Sequence, residues 1–328
     1  MDPGQCRLYS GGIIGKNSGM ILCIGTTPAI QRVMIFRKLT LDAVNRAVTT
    51  LDGPSGKSVN VAKVLKTLGE HPVGTGFLGG NRGELLRLAL AEKEVESDFV
   101  TVSTPTRQCI TVIDDSAGTH TELVEESQPV KREDFEKLTA IIRLRMPQSR
   151  AAVMSGTIVA GGSAAFYFDC TKLAGTAGVF SVVDAHGTAL IEALKAKPGL
   201  VKPNRSELAM TMERQLRSAA DVKEAMCELR ERGARQIVVT AGREPTLAFD
   251  GKKFWQVSVP EIIPKNPIGS GDAFTAGLVS RLVRGDDLGE ACRWGNAAGA
   301  ANALTVMPGE LNRLDVERLA KDIQVQKI

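Results

Sequence analysis

The sequence predicts an α/β fold: a three-layer α/β/α domain around a mostly parallel sheet, with a small inserted β-sheet as a lid. Three observations predict it. Short apolar runs recur between helical patterns from Met20 almost to the end of the chain, as expected of strands buried on both faces and joined by right-handed helical crossovers. Four other segments alternate, or nearly alternate, apolar with polar residues, the pattern of a sheet with one wet face. The chain has 328 residues, 43% hydrophobic and 24% charged. At about 150 residues per domain this suits one large domain or two ordinary ones, and it excludes collagenous, coiled-coil and disordered classes.

In chain order, Met1 to Gly19 is rich in Gly, Ser and polar residues and reads as a disordered leader over residues 1–19. Ile21 to Ile24 is the first buried strand. Gln31 to Arg37 and Val44 to Thr50 alternate and form the first half of the lid, residues 31–51. Ser58 to Leu68 puts Val61, Leu65 and Leu68 on one helical face. Arg107 to Asp114 and Thr119 to Glu125, joined by a turn at Asp115 to Gly118, form the second half, residues 106–126, and the lid is expected to be antiparallel. Further buried strands are Ala151 to Met154, Phe180 to Asp184, Leu200 to Lys202 and Gln236 to Thr240, and Gly271 to Val283 is helical. The core then comprises residues 20–30, 52–105 and 127–328.

A net charge of +4 without a basic stripe, and only 4% aromatic residues, argue against a nucleic-acid partner. No run of 18 apolar residues is present to span a membrane. The six cysteines, Cys6, Cys23, Cys109, Cys170, Cys227 and Cys292, form no CxxC pair and have no neighbouring His to complete a zinc site. A reduced, cytoplasmic chain is expected.

The strongest motif is Gly269-Ser270-Gly271-Asp272, directly before a helix. Small residues let backbone amides converge at a helix start, where the dipole favours an anion such as a phosphoryl group. Asp272 in that turn could accept the proton of an attacking alcohol, although an Asp at a helix start also serves as an ordinary cap. Gly53-Pro54-Ser55-Gly56-Lys57-Ser58 imitates a phosphate-wrapping Walker loop but is two residues too short, and no strand is expected before it. Asp184, ending an apolar strand, imitates that motif's second acid. Gly74 to Gly79 matches GxGxxG, yet it contains its own strand and lacks one before it, so the dinucleotide reading fails. None of His71, His120 and His186 has an identifiable triad partner. Asn204 and Glu207, three apart after a strand, could hold water on Mg²⁺ bound to nucleotide phosphates or simply cap a helix. Thr240-Ala241-Gly242 ends a strand at the carboxyl edge, where open α/β sheets bind ligands.

Together these residues resemble the ribokinase-like carbohydrate kinases, specifically the phosphofructokinase B branch, over Met20 to about Leu314. Gly269-Ser270-Gly271-Asp272 is similar to the family's GxGD signature, which implies an anion hole from Gly269, Ser270 and Gly271 and a catalytic base in Asp272. Asn204 to Glu207 resembles its NxxE motif, which supports magnesium through water, with Lys202 beside the nucleotide. Thr240, Gly242 and Arg243 match the loop that contacts ATP, and Asn296 lies on the helix that flanks adenine. Ser55 to Ala62 resembles the GGKGxNVA sugar site, giving Gly56, Lys57 and Asn60, and Thr106-Arg107 the TRxN strand. By that match Lys57 and Arg107 bracket the acceptor's existing phosphate. The resemblance implies ATP and Mg²⁺ as cofactors, a sugar phosphate as substrate, most simply fructose 1-phosphate or tagatose 6-phosphate, and a homodimer through the lid. A kinase of an unphosphorylated sugar or nucleoside, and a non-catalytic sugar-phosphate sensor, are the alternatives. Four departures fall on the acceptor side: Gln31 replaces an aspartate, Ser58 a glycine, Cys109 an asparagine, and Val124 the asparagine before Glu125.

Overall fold

The computed structural model describes residues 19–328; the expected leader, apart from Gly19, lies outside the described residues. Among them, ten strands form the central sheet. In order across it they are Val325–Lys327, Phe254–Val257, Glu244–Phe249, Ile237–Ala241, Leu200–Val201, Phe180–Asp184, Ser149–Ser155, Met20–Ile24, Pro72–Thr75 and Glu96–Ser97. Pairing is parallel from Glu96–Ser97 through Ile237–Ala241 and antiparallel beyond. The five strands expected from apolar runs are all present, with ends shifted by at most two residues.

Why such runs become central strands is visible in the packing. Along Met20–Ile24, Ile21 and Cys23 face one core and Met20, Leu22 and Ile24 the other; Ala151 and Val153 are likewise opposed to Ala152 and Met154. The first core is closed by the helices Lys57–Thr67, Gly80–Glu92, Ser270–Leu282, Leu288–Ala303 and Arg313–Leu319, the second by Arg132–Arg145, Phe166–Ala177, Gly187–Leu194, Arg205–Thr211 and Ala219–Glu231. A strand buried on both faces has no room for polar alternation. The three layers put the carboxyl ends of Ser149–Ser155, Phe180–Asp184 and Ile237–Ala241 along one edge, where the site lies.

The lid is a four-stranded sheet in the order Thr49–Ser55, Ala29–Phe36, Arg107–Asp114, Thr119–Val124. It corrects the sequence reading twice. The two inner strands pair in parallel, Ala29 opposite Arg107 through Phe36 opposite Asp114, because each insertion contributes an antiparallel pair and the pairs abut through their first strands. The strand expected at Val44 to Thr50 lies at Thr49–Ser55, so a strand does lead into Gly56-Lys57. Gly53 and Pro54 disguised it; an edge strand tolerates proline because no neighbour needs its N–H. The inner face of the lid, Val33 and Ile113, packs on Met307 of the core.

Candidate active site

Helix Ser270–Leu282 begins at Gly269, whose φ of +83° is left-handed. A side chain there would bring its Cβ within 2.7 Å of Pro308 Cβ, so conformation and space both demand glycine. Ser270's amide donates to the Pro267 carbonyl at 3.2 Å, while Gly271 has only open space where a side chain would sit. Asp272 follows in the first turn, 7% exposed, and Asn60 Nδ2 donates to its Oδ2 at 2.8 Å. Burial pushes its carboxyl up to about 6; Lys57 and the Asn60 hydrogen bond restrain the rise and Asp184 adds to it. A carboxyl titrating there is ionised near neutrality yet basic enough to take a proton.

Lys57, the first residue of helix Lys57–Thr67, stands between carboxylates. Its ammonium donates to Glu207 Oε1 at 3.0 Å and lies 3.5 Å from Asp184 Oδ1. Burial disfavours that cation, but Asp184, Glu207 and Asp272 together hold it protonated above the usual lysine range. The ammonium expected to bracket an acceptor phosphate with Arg107 thus rests between Asp184 and Glu207.

Asp184, 1% exposed, closes strand Phe180–Asp184. Burial works against its ionisation, yet Lys202, Lys57 and Thr275 hold it below the ordinary carboxylate range. Lys202 Nζ is 3.2 Å from Asp184 Oδ2, and Thr275 Oγ1 donates to the same oxygen at 2.7 Å. Lys202 is itself only 3% exposed. Expected beside the nucleotide, it is also the buried counter-ion of Asp184, because its charge cannot stay buried unpaired. Asp184 Oδ1 is buried without a hydrogen-bond partner. This centrality of Asp184 was missed in the sequence; its one signal was a carboxylate ending a buried, mostly apolar strand.

Asn204 and Glu207 form a capping box on helix Arg205–Thr211: Asn204 Oδ1 accepts from the Glu207 amide and Glu207 Oε2 from the Asn204 amide, each at 2.8 Å. The cap aims Glu207 Oε1 at Lys57. Thr240 bridges Asn204 through the backbone, and Gly242-Arg243 is the turn between Ile237–Ala241 and Glu244–Phe249, with open space at Gly242 and Arg243 exposed. Asn296, on the helix expected beside adenine, is 6% exposed. Its amide group donates to the Val257 and Ser258 carbonyls, and its oxygen accepts from Thr246, so it ties its helix to the antiparallel strands.

Beside the lid, Gly56 has φ +102°, and a Cβ there would meet Pro28 Cα at 2.8 Å. That close turn sets Gly56 against Thr27, whose carbonyl accepts from Arg107 Nη2 at 3.0 Å. Arg107 Nε is buried and unpartnered. Glu125 Oε2 accepts from Arg82 Nη1 at 3.0 Å and from the Gln108 amide at 2.8 Å. Gln31, 2% exposed, donates to Thr111 Oγ1 at 2.8 Å inside the lid. The structure thus gathers Lys57, Asn60, Asp184, Glu207 and Asp272 into one cluster and leaves Gln31, Arg107 and Glu125 on the lid beside it. Of the histidines, His71 pairs with Glu96, and His120 meets the Lys265 carbonyl. The five cysteines among the described residues are free, and no helix among them is long and apolar enough to cross a membrane.

A glycine-lined helix start with a buried carboxylate in its first turn, at the carboxyl edge of a mostly parallel sheet, defines the ribokinase-like class of phosphotransferase folds. Within it, residues 18–311 match the model of the pfkB family of carbohydrate kinases, and the chain belongs to that family. A tagatose-6-phosphate kinase of Staphylococcus epidermidis is 29% identical over 314 residues, 94% of this chain and 100% of the relative. The structure of Escherichia coli phosphofructokinase-2 in complex with potassium superposes with a TM-score of 0.85 at 26% identity, covering 92% of this chain and 98% of that one. Arabidopsis thaliana ribokinase complexed with ribose and ATP shares the fold, with a TM-score of 0.73 at 19% identity over 92% of this chain and 98% of that one.

Proposed function

We propose that the protein transfers the terminal phosphoryl group of ATP to a hydroxyl of a sugar phosphate, of the tagatose 6-phosphate or fructose 1-phosphate kind. The observation that carries this reading is Asp272, buried in the glycine-lined turn with its carboxyl raised to about 6. With Oδ2 held by Asn60, Oδ1 receives the proton of the attacking hydroxyl. The turn at Gly269 to Gly271 binds the anion where its charge develops, and Lys57 adds a cation there. The relative named tagatose-6-phosphate kinase supports a phosphorylated acceptor, and the free Nε of Arg107 supports an anion at the lid edge.

No three His, Cys, Asp or Glu among the described residues stand close enough to hold a metal unaided. The unpartnered Oδ1 of Asp184 and the carboxylate of Glu207 would nevertheless hold a hydrated Mg²⁺ arriving with the nucleotide, with Asn204 fixing Glu207. When bound, that ion neutralises phosphate charge.

ADP release is measured across a panel of sugars and sugar phosphates. The expected result is turnover of a ketose or hexose phosphate. Arg107→Ala should raise KM for it by about 10- to 100-fold, the worth of one charge-assisted hydrogen bond, without a comparable loss on unphosphorylated sugars. Equal losses on both, or binding without turnover, refute the assignment. The lid exposes the apolar side chains of Leu51, Leu123 and Val124, and this supports a homodimer through the lid, which light scattering reads as twice the 35.0 kDa chain mass.

A further inference from the structure

The active-site cluster draws Lys57 and Asn60 from helix Lys57–Thr67, and one turn further on the same helix carries a cation with no role in that cluster. Lys63 is 4% exposed. Its ammonium donates to the Pro54 carbonyl and to the Pro308 carbonyl, each at 2.7 Å, with no carboxylate in hydrogen-bond contact. Pro54 immediately precedes Ser55-Gly56-Lys57, the acceptor turn. Pro308 is the residue against which Gly269 packs. Gly309 follows it, and its amide donates to Asn302 Oδ1 at 2.8 Å, while Asn302 Nδ2 donates to the Ile268 carbonyl at 3.0 Å. A Cβ at Gly309 would fall 2.7 Å from both Asn60 Oδ1 and Lys63 Cε, so this loop sits directly on the helix face that carries Lys63 and the partner of Asp272.

We infer that Lys63 is a positioning residue: its ammonium clamps the 307–309 loop, which backs the anion-binding turn, to the strand end that delivers the acceptor turn, and so fixes the distance between the two reactants. An apolar side chain would fill the same space without the desolvation a buried cation suffers; what it could not do is hold two carbonyls from segments more than 240 residues apart. The charged groups facing Lys63 are Glu310 and Asp272, which favour its ammonium, and Lys93, which opposes it and is paired to Glu310 at 2.7 Å. Burial outweighs them and lowers Lys63 to about 7, so the clamp loses its charge as pH rises through neutrality.

The test compares Lys63→Met and Lys63→Arg with the wild type, using ATP and the best acceptor of the sugar panel, together with amide hydrogen exchange of the free protein. It rests on the kinase reading, and exchange keeps the two separable: if no sugar is phosphorylated, that reading fails while the clamp is still measured. Lys63→Met should lower kcat by about 10- to 100-fold, the effect of misplacing reactants by about an ångström. It should leave KM for ATP within about threefold and speed exchange at residues 305–310. Lys63→Arg, whose fork also reaches two carbonyls, should restore kcat to within about threefold and move the alkaline limb of the rate profile upward from about 7. Wild-type kcat in Lys63→Met, unchanged loop exchange, or a Lys63→Arg variant as slow as Lys63→Met would overturn the inference. Should Lys63→Met not fold, an alkaline limb unmoved by Lys63→Arg overturns it alone.

Discussion

Removing Asn60 isolates the control of the base. Raising the Asp272 carboxyl from 3.8 to about 6 corresponds to about 3 kcal/mol against its ionised form. Asn60 works in the opposite direction, since its Nδ2 donates to the carboxylate at 2.8 Å and so favours the charged state. A hydrogen bond to a charged group is worth about 1.5–3 kcal/mol, which is about 1 to 2 pH units of titration. In Asn60→Ala the acid limb of kcat/KM should therefore move from about 6 to between about 7 and 8. At about pH 7 the ionised fraction falls from roughly nine-tenths to between roughly a half and a tenth, and activity should fall about 2- to 10-fold. Relative to the wild type at the same pH, the loss should vanish near pH 9, about one unit above the displaced limb. The assay is a coupled ADP-release titration from acid to alkaline pH, beside a thermal melt to confirm folding. An acid limb left near 6 in the folded variant would show that Asp272 is not the titrating base.

The other expectations are direct. Asp272→Asn should cut turnover by about 10²- to 10⁴-fold, read by single-turnover kinetics, while denaturant unfolding shows no loss of stability because a costly buried charge has gone. Lys202→Met strips Asp184 of a counter-ion in a pair exposed by only 3% and 1% and should lower unfolding free energy by about 3–5 kcal/mol, measured from urea midpoints. Gly269→Ala must enter the left-handed region and push Pro308 aside, a strain of about 1–3 kcal/mol. It should weaken nucleotide affinity in a calorimetric titration more than acceptor affinity.

What was legible in the sequence was whatever depends on neighbours. The strand Phe180–Asp184 is read to the residue because burial on both faces imposes a mostly apolar run, broken only by the small Ser181 before Asp184. The helix at Asp272 follows from the glycine spacing before it, and Asn204 with Glu207 is recognisable three apart because a capping box is a local device. Glu244–Phe249, Phe254–Val257 and Val325–Lys327 escaped notice because their faces are unevenly covered and their pairing is antiparallel at an edge. Thr49–Ser55 was displaced by the turn-like Gly53-Pro54. Least legible were the partners: Asn60 meets Asp272 across 212 residues, Lys57 meets Glu207 across 150, and Lys202 turns inward to Asp184. No spacing rule reaches that far. The resemblance supplied the residue types, while the packing decided which cation faces which carboxylate.

The parallel seam in the middle of the lid governs how the molecule can be made. Gln31 and Thr111, joined across that seam, are eighty residues apart, and a parallel pair cannot be closed by a tight hairpin. Each half is an antiparallel pair of the kind that is marginal alone in water, so the seam forms only after the intervening chain has folded back and brought its two ends together. The lid sheet is thus a late product of folding, and a half-built molecule leaves the cluster of Lys57, Asp184, Glu207 and Asp272 without that neighbour.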